Sequence, residues 1–116
     1  MHPTRRDPAT LLDIAEAIRR VRLFKGDMDQ AAFLADLKTQ AAILHQILLL
    51  GEAVKRLSPE FRARHPHIPW QKIAGMRDNL IHEYDSVDLE EVWSTAGRDV
   101  PRLLGSLEPL LAPSVP

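Results

Sequence analysis

The segment 43–50 is apolar on nearly every face of a helix, and only His45 and Gln46 interrupt it. It lies inside a longer run of helically spaced apolar residues, about 30–57. Because a helix that is apolar all round is buried on more than one side, this helix is predicted to be the centre of a bundle or to contact a second chain as well. Gly51 lowers the stability of such a helix by roughly 1 kcal/mol relative to Ala, so it indicates a close crossing with another backbone.

Local start and stop signals delimit the neighbouring helices. The first is predicted to begin at Asp7, an N-cap followed by a proline in the first turn, and to end at Gly26. A short helix starts at Ser58. After a proline-containing loop, a third long helix is predicted from Pro69 through Tyr84.

The fourth long helix is predicted to begin at Ser86 or Asp88, of which Asp88 has the spacing of a capping box with Glu91, and to continue to about Leu107. Pro101 lies inside it and should kink or break it. Pro109 should mark the start of a tail that cannot stay helical. No stretch alternates apolar and polar residues for long enough to predict a strand.

These segments predict an all-α fold, a helical bundle of four main helices plus one short helix. The 116 residues, 45% of them hydrophobic, suit a single domain over 1–116 with frayed tails at 1–6 and 112–116. No apolar run reaches the ~18 residues of a membrane span, and no signal peptide is recognisable. The absence of cysteine excludes disulfides and thiolate metal sites, and a cytoplasmic location fits.

The net charge of −1 argues against a protein that coats nucleic acid through a broad basic surface. It still allows a local site where one or two arginines meet phosphate. The stretch 75–85 contains the densest set of reactive side chains, namely Arg77, Asp78, His82 and Tyr84.

A continuous helix would place Asp78 one turn before His82, where its carboxylate could accept the imidazole N–H and fix the tautomer. Arg77 could bind phosphate bidentately, and His82 could transfer a proton near neutral pH. These groups could act on a phosphodiester without a metal. Spacing alone, however, favours a plainer interpretation, an amphipathic helix end with a satisfied histidine and a half-buried Tyr84.

A family resemblance changes that balance. The pattern of Arg77, four residues, His82, one residue and Tyr84 resembles the signature of the HEPN superfamily, in particular its HepT-like branch of toxin–antitoxin toxins. Flanking blocks at 47–53 and 68–78 resemble the same branch. Further similar blocks lie at 84–88, 92–93 and 100–104, so that the resemblance covers about 11–107.

The resemblance implies a helical homodimer that is a metal-independent RNase without a cofactor, with tRNA or mRNA as substrate. It implies Arg77, Asp78 and His82 as catalytic residues. It also implies Tyr84 as the acceptor of AMP from an MntA-like nucleotidyltransferase antitoxin, as in type VII-like systems. The chemistry gives an independent reason for a dimer, because attack by a 2′-hydroxyl requires both a base and an acid, and one chain offers a single histidine in this stretch.

Two other functions stay open on the sequence. The chain could be a non-catalytic HEPN module that binds a nucleotide or a partner protein, or a purely structural helical dimer. Glu52 could reach the reactive stretch or a dimer interface, or pair with Lys55 or Arg56 within its own helix. Trp70 and Trp93 are interpreted as core anchors rather than base-stacking platforms.

Two further groups of residues could bind a ligand, but for each of them a surface position without a ligand is the favoured interpretation. The basic cluster at 19–25 could follow an RNA backbone, although a solvated helix end is the better interpretation. His65 and His67 have the spacing of a metal pair, but a surface loop without a third ligand is favoured.

Overall fold

The computed structural model describes residues 6–82 and 86–111, and most of them are helical. The helices are α1 (Asp7–Lys25), α2 (Gln30–Leu34), α3 (Leu37–Lys55), α4 (Pro59–Arg64), α5 (Trp70–Ala74), α6 (Met76–Leu80), α7 (Leu89–Ser94), a π-helical turn (Thr95–Asp99) and α8 (Val100–Leu111). The strands β1 (Ile81–His82) and β2 (Ser86–Val87) lie between α6 and α7. The all-α class is confirmed, whereas the homodimer stays a prediction. The predicted tails lie outside the described residues, apart from Arg6.

Helix α1 ends as predicted at Gly26, which has a φ of 53° and donates its N–H to the carbonyl of Arg22. Its start differs from the prediction, because Arg6 occupies the N-cap position and Asp7 does not cap the helix. The buried carboxylate of Asp7 instead accepts hydrogen bonds from the backbone N–H and the hydroxyl of Ser58, at 2.9 and 2.6 Å. This contact ties the start of α1 to the start of α4.

The prediction of one helix over 30–57 is wrong at its beginning. Asp29 caps the short α2, and Asp36 accepts from the N–H of Thr39 to start α3 anew. The side-chain amide of Gln40 donates to the carbonyls of Phe33 and Leu34 at the end of α2, at 3.0 and 3.1 Å. Two local caps therefore win over a continuous apolar pattern.

Helix α3 is the central helix, as predicted. Its residues Ile43, Ile47, Leu50 and Val54 are completely buried, and it packs against α1, α2, α5, α6 and α7. Gly51 lies on the side facing α5. Among residues 6–82 and 86–111, no helix combines the length and the apolar character that crossing a membrane would require.

The prediction of a third long helix from Pro69 through Tyr84 is wrong. Helix α5 ends at Gly75, α6 ends at Leu80, and β1 then pairs with β2 in an antiparallel hairpin. Ile81 lies opposite Val87, and the N–H of Asp88 donates to the carbonyl of Leu80 at 2.8 Å. Pairing between backbone segments on either side of 83–85 therefore replaces the helical hydrogen bonds that the apolar spacing indicated.

The last helix is continuous, with a π-helical turn in its middle. Asp88 caps it as predicted by accepting from the N–H of Glu91. The helix does not break at Pro101; just before the proline, the N–H of Val100 donates to the carbonyl of Thr95 five residues earlier. The prediction that the helix stops at Pro109 is wrong, since α8 continues to Leu111.

Candidate active site

Two short helices that meet at Gly75 carry the reactive stretch. Helix α5 is fixed by the buried Trp70, whose indole N–H donates to the carbonyls of Arg62 and His65 at 3.2 and 3.0 Å. This confirms Trp70 as a core anchor. Helix α6 begins directly after the junction, where the N–H of Asp78 donates to the Gly75 carbonyl.

Helix α6 buries Met76 and Leu80 and turns Arg77 and Asp78 toward solvent. The Arg77 side chain is 64% exposed and the Asp78 side chain 84%, with 4.0 Å between the guanidinium and the carboxylate. An ion pair this long and this exposed contributes little. The Arg77 guanidinium can therefore exchange this neighbour for a phosphate, which it can bind through two parallel hydrogen bonds.

A cavity of about 240 Å³ lies where α3 crosses α5 and α6. It is lined by Ile47, Leu48, Gly51, Glu52, Ala74 and Arg77. Glu52 also bonds to the Lys55 ammonium at 3.1 Å. Both roles considered for Glu52 therefore occur together: the carboxylate pairs within its own helix, and it lines the same cavity as Arg77.

Gly51 explains how this cavity is built. A Cβ at Gly51 would lie 3.3 Å from the carbonyl oxygen of Ile73 and 3.5 Å from that of Ala74. The close backbone crossing indicated by the sequence is confirmed, and it brings the α5–α6 junction against α3. The sequence could indicate a crossing but not its partner, so Ala74 and Leu48 were not recognised as neighbours of Arg77.

His82 belongs to the hairpin rather than to a helix. Its extended backbone is paired with Ser86. The helical argument for Asp78 as its orienting group is therefore wrong, because the two residues are not one turn apart on a common helix. The catalytic roles of Asp78 and His82 stay predictions that rest on the family resemblance. Tyr84 lies outside the described residues.

The cations of the basic cluster at 19–25 have different partners. Arg19 and Arg20 both donate to the carboxylate of Glu16, at distances of 2.7 to 2.9 Å. These hydrogen bonds, that from Arg19 first, lower the pKa of Glu16 to about 2. Lys25 instead places its ammonium 4.6 Å from the ring centre of Trp93.

Trp93 and the histidines of the loop after α4 are the remaining residues singled out in the sequence. Trp93 is half-buried and packs on the ring of Phe33 at 5.3 Å, as expected of a core contact. His65 lies in the loop after α4 with its ring 4.7 Å from that of Phe61. Within the described part of the chain, no three histidine or acidic side chains are grouped in a way that could hold a metal ion.

Comparisons with known proteins identify the family. The family model described as ribonuclease HepT-like matches residues 14–110. The chain therefore belongs to the HepT-like ribonuclease family, and the resemblance seen in its motif is confirmed. No solved structure matches the chain.

Relatives in archaea and bacteria match over most of their length. The chain is 43% identical over 100 residues to the probable ribonuclease HepT of Thermococcus cleftensis. The alignment covers 86% of this chain and 91% of that protein. It is 36% identical over 109 residues to a protein of Methanocaldococcus jannaschii named as a candidate RNase, covering 94% of each. A third relative, a candidate RNase of Caldanaerobacter subterraneus, is 40% identical over 79 residues, 68% of this chain and 70% of that protein.

Proposed function

We propose that this protein is a metal-independent endoribonuclease that cleaves RNA through Arg77 and His82. The observation that carries the proposal is the exposed, weakly paired Arg77 guanidinium beside a small cavity, at the arginine position of the family motif. Family membership and relatives named as ribonucleases support RNA as the substrate. We expect the protein in the cytoplasm, where tRNA and mRNA are found.

The proposed reaction is attack by the ribose 2′-hydroxyl on the neighbouring phosphorus. A base takes the 2′-hydroxyl proton, the 2′-oxygen bonds to phosphorus, and the 5′-oxygen leaves with a proton from an acid. The products are a 2′,3′-cyclic phosphate and a 5′-hydroxyl. His82 acts as acid or base, and Arg77 stabilises the negative charge that develops on the phosphoryl oxygens. Asp78 stays in the catalytic set that the family resemblance implies, and its exposed carboxylate lies 4.0 Å from the Arg77 guanidinium.

The proposal includes a homodimer whose two-fold axis passes through the motif. One chain provides one His82, whereas the reaction uses both a base and an acid. A two-fold axis would bring two copies of His82 and of Arg77 to one composite site. Each histidine could then take one of the two roles.

We assign the protein as the toxin of a HEPN/nucleotidyltransferase toxin–antitoxin system. An MntA-like nucleotidyltransferase would transfer the AMP group of ATP to the phenol oxygen of Tyr84 and release pyrophosphate. The added adenylate places a phosphate and a base close in sequence to His82. Such a group would occupy the path of RNA and neutralise the toxin.

The decisive experiment is cleavage of tRNA and mRNA in excess EDTA by protein whose intact mass shows no adduct on Tyr84. Wild type is expected to cleave, His82→Ala to lose about 10²–10⁴-fold in rate, and Arg77→Ala about 10²–10³-fold. Arg56→Ala is the matched control, since the Arg56 side chain is also exposed, pairs with Asp13 at 3.5 Å and does not line the cavity beside Arg77. Its rate should equal that of wild type.

Three outcomes would overturn the proposal. Unmodified wild type that cleaves neither RNA would favour the non-catalytic HEPN module that binds a nucleotide or partner. Cleavage that persists in His82→Ala would remove His82 from the mechanism. If neither Arg77→Ala nor His82→Ala changed any phenotype in cells, the structural-dimer alternative would hold instead.

A further inference from the structure

A second, larger cavity lies between the last turn of α1 and the junction of the π-helical turn with α8. Its volume is about 600 Å³, within the range of pockets that hold small ligands. It shares no lining residue with the cavity beside Arg77. Its cationic lining residues are Arg19, Arg22 and Lys25, and its apolar ones include Leu23, Pro101 and Leu104.

The charge of this cavity is one-sided. Three cations line it, and no carboxylate is among its lining residues. Glu16 offsets the charge of Arg19 through a double hydrogen bond. Within the described part of the chain, no hydrogen bond or ion pair engages the guanidinium of the exposed Arg22. Arg22 and the neighbouring Lys25 therefore present charge that a bound anion could neutralise.

The opposite wall carries no long side chain at Gly97. It contains Ala96 and Gly97 from the π-helical turn, a form of helix that occurs frequently at functional sites. A Cβ at Gly97 would lie 3.5 Å from the Cε atom of Lys25. A longer side chain at Gly97 would therefore extend toward the lysine and fill the space between the two walls.

We propose that this cavity binds one nucleotide of the single-stranded RNA substrate, outside the phosphodiester that is cleaved. The phosphate would lie against Arg22 and Lys25, and the base against the apolar side chains of Leu23, Pro101 and Leu104. An anion joined to a flat apolar group matches this lining better than an inorganic ion or an apolar molecule does. The inference rests on the proposed RNase function, because it takes RNA as the source of the nucleotide.

Binding and cleavage can be tested separately. A fluorescent 15-nucleotide 2′-O-methyl RNA cannot be cleaved by 2′-hydroxyl attack, so its affinity for wild type can be measured by anisotropy over a series of salt concentrations. Arg22→Gln is expected to bind about tenfold more weakly, with a salt slope smaller by about 0.7. On cleavable RNA, the same variant should raise KM and leave kcat unchanged.

Arg20→Gln is the matched control. Arg20 is the neighbouring exposed arginine of α1, but it is bonded to Glu16 and does not line the cavity. The Arg20→Gln substitution removes the same charge as Arg22→Gln and should change the affinity for RNA less than about twofold. An equal loss in both variants would overturn the inference in favour of diffuse attraction to α1.

Gly97→Met supplies a test without a change of charge, and it should weaken RNA binding by filling the cavity. If affinity were unchanged in Gly97→Met, the cavity would not be the binding site.

The remaining outcomes separate this inference from the proposed function. If wild type cleaves RNA and Arg22→Gln has the wild-type KM, the cavity assignment fails and the RNase function stands. If wild type binds the RNA through Arg22 but cleaves none, the cavity assignment stands and the RNase function fails. Wild type that neither binds nor cleaves RNA overturns both. Saturable binding of AMP that depends on Arg22, with RNA affinity unaffected, would replace the RNA strand by a free nucleotide.

Discussion

At Gly51 the central helix lies close to the backbone of α5, just before the reactive stretch begins. A Cβ added at Gly51 would lie 3.3 Å from the carbonyl oxygen of Ile73 and 3.5 Å from that of Ala74. A backbone carbonyl cannot move out of the way by a rotamer change, so α5 itself would have to shift. Since α5 leads directly into α6 and Arg77, the space at Gly51 affects both stability and the position of the guanidinium.

Gly51→Ala is expected to destabilise the protein despite the better helix propensity of alanine. The propensity gain is roughly 1 kcal/mol, whereas overpacking costs about 1–3 kcal/mol, so the free energy of unfolding should fall by up to about 2 kcal/mol. RNA cleavage should fall as well, because α5 is displaced. Urea unfolding and a cleavage assay measure the two effects.

Gly105→Ala is the control for the change at Gly51. No atom lies within 4 Å of a Cβ built at Gly105, which is in the exposed part of α8. It should stabilise by about 0.5–1 kcal/mol through propensity alone. Stabilisation of the same size by Gly51→Ala would show that the crossing tolerates a methyl group and would contradict the prediction.

The structural role of a single residue can be predicted from the sequence in some cases and not in others. Gly51 could be interpreted correctly because a glycine inside an apolar helix has few explanations other than a close approach. Asp7 was misinterpreted because Asp-Pro is a local helix-start signal, while its carboxylate bonds to Ser58, 51 positions later. No local pattern encodes a partner at that distance.

At the scale of elements, the cap at Asp36 divides what would otherwise be one helix into α2 and α3. The N–H and then the hydroxyl of Thr39 donate to its carboxylate and lower the pKa of Asp36 below its ordinary value of 3.8. A carboxyl group with a lowered pKa in the folded state stabilises the fold above its ordinary pKa. That contribution is lost as the pH falls through the folded-state pKa.

Asp36→Asn should therefore reduce the dependence of stability on pH. Asparagine keeps a capping oxygen but carries no charge. Between about pH 4 and pH 2, the free energy of unfolding of wild type should fall more steeply than that of the variant. Glu16 contributes with the same sign through its pKa of about 2, and its contribution is common to both proteins. Parallel curves from urea unfolding at each pH would contradict the assignment.

The helix boundaries show which elements can be predicted from sequence. Local signals placed three of them correctly, at Gly26, Ser58 and Asp88, but the equally local cap at Asp36 was missed. The boundary at Leu80 was missed because it depends on backbone pairing between Ile81 and Val87, which are six positions apart. Apolar spacing continues through this region with helical period, and only tertiary packing decides between helix and hairpin.

The candidate site was predictable in its chemistry and only partly in its geometry. The motif identified Arg77, whose exposure and cavity suit anion binding. The sequence could not show that Glu52 lines the same cavity, because that requires knowing how α3 crosses α5. The cavity formed by Arg22 and Lys25 with the π-helical turn was likewise hidden, since its walls lie about seventy positions or more apart in the chain.

At the scale of the molecule, the buried contact of Asp7 with Ser58 joins α1 to α4. Asp7→Ala leaves the N–H of Ser58 without its partner in a buried position, so the free energy of unfolding should fall by about 1–3 kcal/mol. Asp13→Ala is the control on the same helix, since its exposed pair with Arg56 should contribute less than about 1 kcal/mol. Equal effects in urea unfolding would remove the special role of the buried contact.

The proposed two-fold site makes a quantitative prediction about mixed dimers. If one composite site needs a histidine from each chain, a dimer of wild type with His82→Ala has only one His82 and should be inactive. Equimolar mixing with full subunit exchange should then leave about a quarter of the wild-type activity, because only about a quarter of the dimers contain two wild-type chains.

Independent sites give a different number, since each wild-type chain would act alone and about half of the activity would remain. Mixing wild type with Arg56→Ala should leave full activity and controls for losses during exchange. Subunit exchange can be verified by mass spectrometry of the intact dimers. A value near half, with exchange complete, would place acid and base within one chain, and His82 would then need a partner other than its symmetry copy.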